Sequence, residues 1–386
     1  CRRGSNRVLR MGRTAISAVL GALLGWGALF SCVWGSTIPS GSAETAASPG
    51  PQDHPPYNDL APPSAVTLCG ERLPLEDRRV WESLDLEFTI AVWNRAQVFI
   101  WLKRAGRYFP YIEAELAAAG MPDDLKYLAV AESDLRSHAR SPAGAMGTWQ
   151  FMEPTARRHG LAKNGQMDER RNFERSTAAA LSYLQALRQQ FGNWTLAMAA
   201  YNCGENRVAQ EISAQRVSDY YRLDLPLETE RYIFRIAAIK IIMENPERYG
   251  YRVDPAHIYA PRAVDTVEVS LRRPLHIADL AQALGTDFKL IKELNGHIRG
   301  HKLPAGRYAL NLPVGSGEGI AALIHDLTSG GGNPKAGEPL RHHVVRPGET
   351  LSQIALVTGV SLAQLRQLNG IDGSLIRAGQ KIRIAP

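Results

Sequence analysis

Apolar residues recur at three- and four-residue intervals between about residues 80 and 245, the spacing typical of amphipathic helices. One clear stripe consists of Leu181, Leu184, Leu187 and Phe191. Gly192 follows it as a helix stop, and no long β-rich run interrupts the pattern. We therefore expect residues 76–255 to form one mainly α-helical domain.

The pattern changes after residue 260, where short alternating stretches bracket pairs of short helices. Two units of this kind are predicted, at 262–316 and 342–386, with a Gly-rich linker at 329–341 between them. They form an internal repeat, since Leu294-Asn295-Gly296 returns as Leu368-Asn369-Gly370. A repeat of this length that includes a linker indicates two tandem βααβ modules rather than a solenoid.

The N-terminal region is predicted to contain a leader and a tether. Residues 44–75 are rich in proline and poor in large apolar residues, so we expect a linker without a core. Within residues 1–43, arginines precede an apolar run from Ala15 to Trp34, which is typical of an export signal. We expect the rest of the chain to be exported in a bacterium, to the periplasm or cell envelope.

Three fates of the leader stay open. Leu29-Phe30-Ser31-Cys32 resembles a lipoprotein signal, in which Cys32 is acylated, although Phe30 is a poor match. The alternatives are cleavage near Gly41-Ser42-Ala43, or retention of the apolar run as a membrane anchor. Two of the three attach the protein to a membrane.

Charge and cysteine content exclude several classes of protein. Five arginines before residue 14 account for +5 of the net charge of +7, so a basic body that would bind nucleic acid is absent. Cys69 and Cys203 lie outside the leader and could pair in an oxidising compartment, but nothing in the sequence places them close together. No Cys/His spacing indicates a metal site, and no cofactor is implied.

Glu132 is the candidate acid/base. It lies at the end of a strongly apolar helix, where a partly desolvated carboxyl group stays neutral and can protonate a leaving group. Such a glutamate, taken alone, is more often a solvated or capping residue. The Gly-rich segment 141–152 changes this balance, because it lets backbone approach a ligand while Trp149 and Met152 offer apolar surface. Tyr201 and Asn202 add a phenol and an amide at another helix end.

Five motifs in order carry a family resemblance over about residues 80–250. They are Glu132-Ser133, Ser141 to Gly144, Gly147-Thr148-Trp149-Gln150, Ala200-Tyr201-Asn202, and Glu228-Thr229 with Tyr232. This series resembles the Slt-type lytic transglycosylases, which implies a lysozyme-like helical fold and activity on peptidoglycan glycan strands. It implies that Glu132 is the sole catalytic acid/base. The implied substrate-binding residues are Ser133, Ser141, Met146, Gln150, Met152, Tyr201, Asn202, Glu228 and Tyr232. Thr148 and Cys203 depart from the usual pattern, which has Leu or Ile and Ser or Ala there.

A single clear carboxylate favours substrate assistance over the two-carboxylate route of ordinary glycosidases. Asp134, two residues on, would face away from Glu132 on a helix. The N-acetyl group of MurNAc would attack its own anomeric carbon, and Glu132 would then deprotonate the C6 hydroxyl to close a 1,6-anhydro ring. Tyr201 and Gln150 would hold the acetamido group. The alternatives are a hydrolytic muramidase, as in the related goose-type lysozymes, and a non-catalytic glycan-binding wall protein.

The last unit, 342–386, closely resembles a LysM domain, a family that binds N-acetylglucosamine-containing glycans. The resemblance implies a groove formed by two segments. They are Pro347, Gly348, Glu349, Thr350 and Leu351, and Leu375, Ile376, Arg377, Ala378 and Gly379. The unit at 262–316 is a degenerate relative that keeps Leu294-Asn295-Gly296 but lacks the Pro-Gly-Glu-Thr turn. Its glycan binding stays an open question, as does the oligomeric state.

Overall fold

The computed structural model describes residues 60–317, 319–328, 342–345, 349–358, 360–373, 375–377 and 379–384. The predicted leader with Cys32 lies outside these residues, as do Pro347, Gly348 and Ala378 of the predicted glycan groove. Within the described part of the chain, no helix combines the length and apolarity needed to span a bilayer.

The first domain is mainly helical, as predicted. It opens with a short hairpin of β1 (Thr67–Leu68) and β2 (Glu71–Arg72). Its helices are α1 (Arg78–Trp93), α2 (Arg95–Ala118), α3 (Lys126–Ser133), α4 (Glu153–Arg158), α5 (Phe173–Phe191), α6 (Trp194–Cys203), α7 (Glu205–Gln215) and α8 (Leu227–Glu244). Short 3₁₀ turns lie at Asp123–Leu125, Glu169–Arg171, Tyr220–Arg222, Pro246–Tyr249 and Pro255–His257.

Helix α8 is the centre of this domain and packs against α1, α3 and α6. Its consecutive residues Ile236, Ala237, Ala238 and Ile239 are almost fully buried, which a surface helix with one apolar stripe would not show. Helix α3 is buried almost all round through Leu128, Ala129 and Val130. The C-terminal end of α3, which carries Glu132, therefore emerges from the core rather than from the surface.

The predicted linker at 44–75 ends too late. Val66, Leu68, Cys69 and Leu73 are buried in the core of the helical domain. The Glu71 carboxylate accepts hydrogen bonds from the backbone N–H of Trp194 at 2.6 Å and of Thr195 at 3.0 Å, at the start of α6. Proline-rich composition concealed this hairpin because its apolar residues are few, although each of them fills the core.

The first βααβ module is longer than predicted. It contains β3 (Val264–Leu271), β4 (Leu275–His276), α9 (Ile277–Ala283), α10 (Phe288–Leu294), β5 (Lys302–Leu303), β6 (Gly306–Pro313) and α11 (Ile320–Thr328). Strands β3 and β6 pair antiparallel, from Val264 opposite Pro313 to Leu271 opposite Gly306. The prediction ended this module at 316 and missed α11, whose Ile320 and Ile324 complete the same core.

The second module contains β7 (His342–Val344), α12 (Leu351–Thr358), α13 (Leu362–Asn369) and β8 (Lys381–Arg383). Strands β7 and β8 pair antiparallel, with His343 opposite Ile382. A small core of its own includes Leu351, Ile354 and Leu365. The order of elements agrees with the βααβ pattern expected from the sequence.

The repeated Leu-Asn-Gly motif has a structural role in both modules. The Asn295 side chain donates from Nδ2 to the Asn311 carbonyl at 2.7 Å and accepts from the Asn311 N–H at 2.9 Å. Asn369 makes the same pair of bonds with the Arg383 backbone, at 2.7 and 2.6 Å. Each asparagine thus pairs with the last strand as a neighbouring strand would, which joins the second helix of the module to its sheet.

The two cysteines of the helical domain do not pair. Cys69 is buried in the core, where desolvation raises the pKa of its thiol well above the usual range. Cys203 is also a free thiol, partly buried at the end of α6. The pairing that the sequence left open is therefore absent from the structure.

Thr148 offers a test of the packing around the Gly-rich segment. Its buried hydroxyl has no hydrogen-bond partner among the described residues, and an unpaired buried polar group destabilises the fold. We expect Thr148→Val to raise the free energy of unfolding by about 1 kcal/mol, measured by urea denaturation.

Thr177→Val is the matched control for this substitution. The Thr177 hydroxyl accepts from Trp149 Nε1 at 2.9 Å and donates to the Phe173 carbonyl at 2.7 Å. Its removal should lower the free energy of unfolding by about 1 to 2 kcal/mol. Equal destabilisation by the two substitutions would contradict this account.

Candidate active site

A cavity of about 720 Å³ lies where the C-terminal ends of α3 and α6 meet the N-terminal part of α8. The structure brings most of the predicted site residues into its wall. They are Glu132, Ser141, Gln150, Met152, Tyr201, Asn202, Glu228 and Tyr232. These residues come from separated parts of the chain, so the cavity exists only in the folded domain.

Glu132 projects from the end of α3 into this cavity. Desolvation by the surrounding core raises the pKa of its carboxyl group to about 7, and the negative charge of Glu228 adds to the rise. A hydrogen bond from the Tyr232 hydroxyl to Glu132 Oε1 and the positive charge of Arg235 act in the opposite direction. Glu132 therefore holds its proton near neutral pH and can still release it.

Two phenols flank Glu132. Burial raises the pKa values of Tyr201 and Tyr232 well above the usual range for tyrosine, so both phenols are neutral at physiological pH. The Tyr232 hydroxyl donates to Glu132, whereas the Tyr201 hydroxyl donates to the Trp149 carbonyl at 2.7 Å. Because its proton is committed to that carbonyl, Tyr201 presents mainly an acceptor oxygen to the cavity.

Gln150 lies on a tight Gly-rich turn with a positive φ of 46°. Its Nε2 group donates to the Gly147 carbonyl at 2.7 Å and to the Ala139 carbonyl at 3.2 Å. The amide nitrogen is thereby committed to the protein, which leaves Oε1 as the group available to a ligand. Gly147 is required at this turn, since an added Cβ would lie 1.8 Å from the Arg170 carbonyl oxygen.

Three residues that were expected to face a ligand do not line this cavity. Ser133 is buried, and its hydroxyl donates to the Thr148 carbonyl at 2.7 Å, so it anchors the turn. Met146 is not part of the cavity wall, and its backbone pairs with that of Phe151. Trp149 is fully buried in the core and offers no surface to a ligand.

Asn202 and Glu228 present polar groups to the cavity. The Thr229 hydroxyl donates to Asn202 Oδ1 at 2.7 Å, which orients the amide and leaves its nitrogen as a donor. Glu228 is exposed at the start of α8, and Met152 is 44% exposed at the rim of the cavity. Donor, acceptor, acid and apolar groups therefore converge on one space.

Arg235, Tyr183 and Glu205 are among the wall residues that sequence reasoning missed. Arg235 lies three residues after Tyr232 on the same face of α8, and its Nε is 3.4 Å from the buried carboxylate of Glu87. Tyr183 and Glu205 form a hydrogen bond of 2.7 Å at another side of the cavity. The helical spacing from Tyr232 could have identified Arg235, but no local signal marks the other two.

Glu205 has a different protonation state from Glu132. Burial alone would raise its pKa, but hydrogen bonds from Arg158 at 2.6 Å and from Tyr183 outweigh burial and lower the pKa to about 2. It therefore stays ionised and tied to these partners. The cavity thus combines one carboxyl group that exchanges a proton near neutral pH with another that does not.

The predicted glycan groove of the second module is only partly accessible. Thr350, Arg377 and Gly379 are exposed, and Leu375 is 84% exposed. In contrast, Leu351 is buried in the core of the module and Ile376 packs against it. Glu349 Oε2 lies 2.8 Å from Nε2 of the buried His343, so its carboxylate supports the fold.

Comparisons with known protein families match both the helical domain and the second βααβ module. Residues 109–223 match the family described as Transglycosylase SLT domain, and residues 343–385 match the LysM domain family. Membrane-bound lytic murein transglycosylase D of Escherichia coli (strain K12) is 33% identical over 295 residues, which cover 73% of this chain and 64% of that protein. The chain therefore spans less than two thirds of that relative.

Two further similarities are more limited. A putative tributyltin chloride resistance protein of Alteromonas sp. (strain M-1) is 35% identical over 116 residues, or 29% of this chain and 56% of that protein. The crystal structure of the 70 kDa soluble lytic transglycosylase from Escherichia coli is 22% identical, with a TM-score of 0.32, over 46% of this chain and 33% of that one.

The family matches confirm the resemblance inferred from the motifs. The domain that holds Glu132 and the cavity is the one matched by the transglycosylase family, and the terminal βααβ module is the one matched by LysM. The chain therefore contains a transglycosylase SLT domain followed by a LysM domain.

Proposed function

We propose that this protein is a peptidoglycan lytic transglycosylase. It cleaves the β-1,4 bond between MurNAc and GlcNAc without water and leaves 1,6-anhydroMurNAc ends, in remodelling or turnover of the cell wall. The observation that carries the proposal is the Glu132 carboxyl group, whose pKa is raised to about 7 by desolvation within a cavity of the transglycosylase domain.

Glu132 would serve both halves of the reaction. In the first half, the neutral carboxyl donates its proton to the glycosidic oxygen while the MurNAc acetamido oxygen attacks the anomeric carbon. In the second half, the carboxylate takes the proton of the C6 hydroxyl, whose oxygen displaces the acetamido oxygen. A pKa near neutrality suits a group that must first give and then take a proton.

The groups around Glu132 fit an acetamido substituent. The Asn202 amide nitrogen can donate to its carbonyl oxygen before that oxygen attacks, and Gln150 Oε1 or the Tyr201 oxygen can accept its N–H. These assignments refine the expectation that Tyr201 and Gln150 hold the acetamido group, since both act as acceptors. Holding the group in position lowers the entropic cost of ring closure.

Hydrolysis is the second candidate, because Glu228 adds an ionisable carboxylate to the same cavity wall. In a muramidase, that carboxylate would activate water against the anomeric carbon. We favour an electrostatic role for Glu228, since its negative charge helps to keep Glu132 protonated. The products of digestion separate these two candidates.

The cellular setting follows from the same proposal. An enzyme that acts on peptidoglycan must be exported, as the N-terminal leader indicates, and the similarity to a membrane-bound relative supports attachment to the membrane. The LysM domain would hold the enzyme on glycan strands. A non-catalytic wall protein would not require a proton donor of this kind.

Glu132→Gln tests the catalytic proposal. The amide cannot donate a proton in the same way, so we expect release of muropeptides from purified sacculi to fall by at least about a hundredfold. Sacculus binding should persist, because the exposed residues of the LysM groove are untouched. Glu82→Gln, which changes an exposed carboxylate on α1, is the matched control and should keep full activity.

Mass spectrometry of the wild-type digest completes this test. Anhydro-muropeptides are the expected products, whereas reducing ends would favour the muramidase. Normal lysis by the Glu132→Gln protein would contradict both catalytic candidates.

Tyr232→Phe tests how the surroundings of Glu132 set the pKa of its carboxyl group. The protonated form of Glu132 starts the reaction, so activity should decline as pH rises through about 7. The Tyr232 hydrogen bond lowers the pKa of Glu132. Its loss should therefore raise the pH at which activity declines, the alkaline limb of the pH profile, by roughly one unit. Tyr220→Phe removes a buried phenol that does not contact Glu132 and should leave the limb in place. A shift of the alkaline limb to lower pH in Tyr232→Phe would contradict the conclusion that Tyr232 lowers the pKa of Glu132.

Leu375→Ser tests glycan binding by the LysM domain. This leucine is 84% exposed, and its burial against a sugar face would favour binding. We expect the substitution to weaken sedimentation with peptide-free glycan about fivefold or more. Val344→Ser, at a 51% exposed apolar site on β7 outside the predicted groove, is the control. Equal losses for the two variants would count against the groove.

A further inference from the structure

A second cavity, of about 660 Å³, lies between the helical domain and the first βααβ module. Eight lysine and arginine side chains and the carboxylate of Glu293 line it. Those cations are Arg104, Arg107, Arg136, Arg171, Arg262, Lys289, Lys292 and Arg299. We call it the basic cavity.

Three of the eight cations of the basic cavity are paired with carboxylates, Arg136 with Asp134 at 3.6 Å, and Arg262 and Lys289 with Glu293 at 3.9 and 3.8 Å. Three others are held by backbone carbonyls. Arg104 Nη1 donates to the Asp134 carbonyl at 2.9 Å, Arg107 Nε to the Ala260 carbonyl at 3.0 Å, and Lys292 Nζ to the Gly300 carbonyl at 2.9 Å. Carbonyl oxygens satisfy these donors but do not cancel their charge. Within the described residues, the buried Nε of Arg171 has no hydrogen-bond partner at all.

Electrostatic repulsion within the cavity is visible in its titratable groups. Burial, followed by the positive charge of Arg171, lowers the pKa of Lys292. Burial lowers the pKa of Arg171 itself, and Arg299 lowers it further against the opposing effect of Asp168. The unliganded fold therefore bears a cost that an anionic ligand would relieve.

We propose that the basic cavity binds the carboxylates of the peptide stems that peptidoglycan carries on its MurNAc residues. This inference deepens the proposed function and relies on it for the identity of the substrate. Guanidinium groups match carboxylates in geometry, and the volume suits a peptide-sized ligand rather than a single ion.

The surroundings favour a peptide stem over a phosphate polymer. A smaller cavity of about 250 Å³ shares Arg107, Arg171, Arg262 and Glu293 with the basic cavity and adds Glu174, Tyr111 and Phe173 to the wall. The Glu174 and Glu293 carboxylates would attract the ammonium group of a stem that contains a diamino acid, a group that a polyphosphate lacks. The aromatic rings would contact its aliphatic carbons.

One segment joins the basic cavity to the active-site cavity. Glu132 and Ser141 line the active-site cavity, whereas Arg136, Ser137 and His138 between them line the basic cavity. A glycan strand in one cavity could therefore place its stem in the other across a few residues of this segment. The basic cavity would then select strands that carry peptides.

Binding of a free stem peptide tests this inference without any glycosidic bond to cleave. The probe is the tetrapeptide L-Ala-γ-D-Glu-meso-diaminopimelyl-D-Ala, titrated by calorimetry into the intact chain. We expect Arg171→Met with Arg299→Met to weaken binding at least tenfold, and amidation of the peptide carboxylates to do the same to the wild type. Arg78→Met with Arg252→Met removes two exposed arginines elsewhere and should change nothing.

Lys289→Met with Arg299→Met, at exposed positions, repeats the test if the first pair unfolds the protein. Equal affinity of all variants for the peptide, or no binding to the wild type, overturns the inference. Binding of inorganic phosphate by a protein that does not bind the peptide also overturns it and assigns a phosphate site instead. If the wild-type protein bound the peptide but did not cleave sacculi, only the proposed function would be contradicted.

Discussion

The geometry of the active site depends on hydrogen bonds to the backbone carbonyls of the Gly-rich segment 141–152. Five of these carbonyl oxygens accept bonds from side chains: those of Gly144, Gly147, Thr148, Trp149 and Phe151. The donors are Arg170, Gln150, Ser133 and Tyr201. Arg170 lies on a 3₁₀ turn, Ser133 on α3 and Tyr201 on α6. Because all three bind the same segment, it fixes the distance between α3, which carries Glu132, and α6, which carries Tyr201. A loop without these bonds could not hold a site to the precision that catalysis needs.

The 3₁₀ turn at Glu169–Arg171 extends this constraint to the next module. Arg170 is buried and ion-paired with Asp168 at 2.7 Å, and it reaches the Gly144 and Phe151 carbonyls from beneath the segment. The Asp168 N–H donates to the His297 carbonyl at 2.8 Å, and Met167 pairs with Ile298. The turn that positions the active-site segment therefore also attaches the first βααβ module. This explains why a degenerate module can be retained as part of the structure whether or not it binds glycan.

Sequence reasoning was accurate where a periodic pattern or a motif encodes local structure. It predicted the helical domain, the two modules, and eight residues, Glu132 among them, that lie in the cavity wall. It failed where tertiary contacts decide the role of a side chain. Ser133 stands beside the acid in the motif, yet its hydroxyl is consumed by the Thr148 carbonyl. Glu71 lies in proline-rich sequence and nevertheless caps α6, more than a hundred residues away. Helix α11 precedes a Gly-rich stretch that suggested the end of a module, although its isoleucines complete the core.

The segment between Glu132 and Ser141 joins the active-site cavity to the basic cavity, but different charges act in the two cavities. The charges that shift the pKa of Glu132 are those of Glu228 and Arg235, both on α8, and not those of the eight cations of the basic cavity. A bound carboxylate in the basic cavity would therefore leave the proton affinity of Glu132 largely unchanged. Its effect on cleavage would be positional, through the backbone between Glu132 and Ser141. A peptide stem should then alter the apparent affinity for a strand more than the pH dependence of its cleavage.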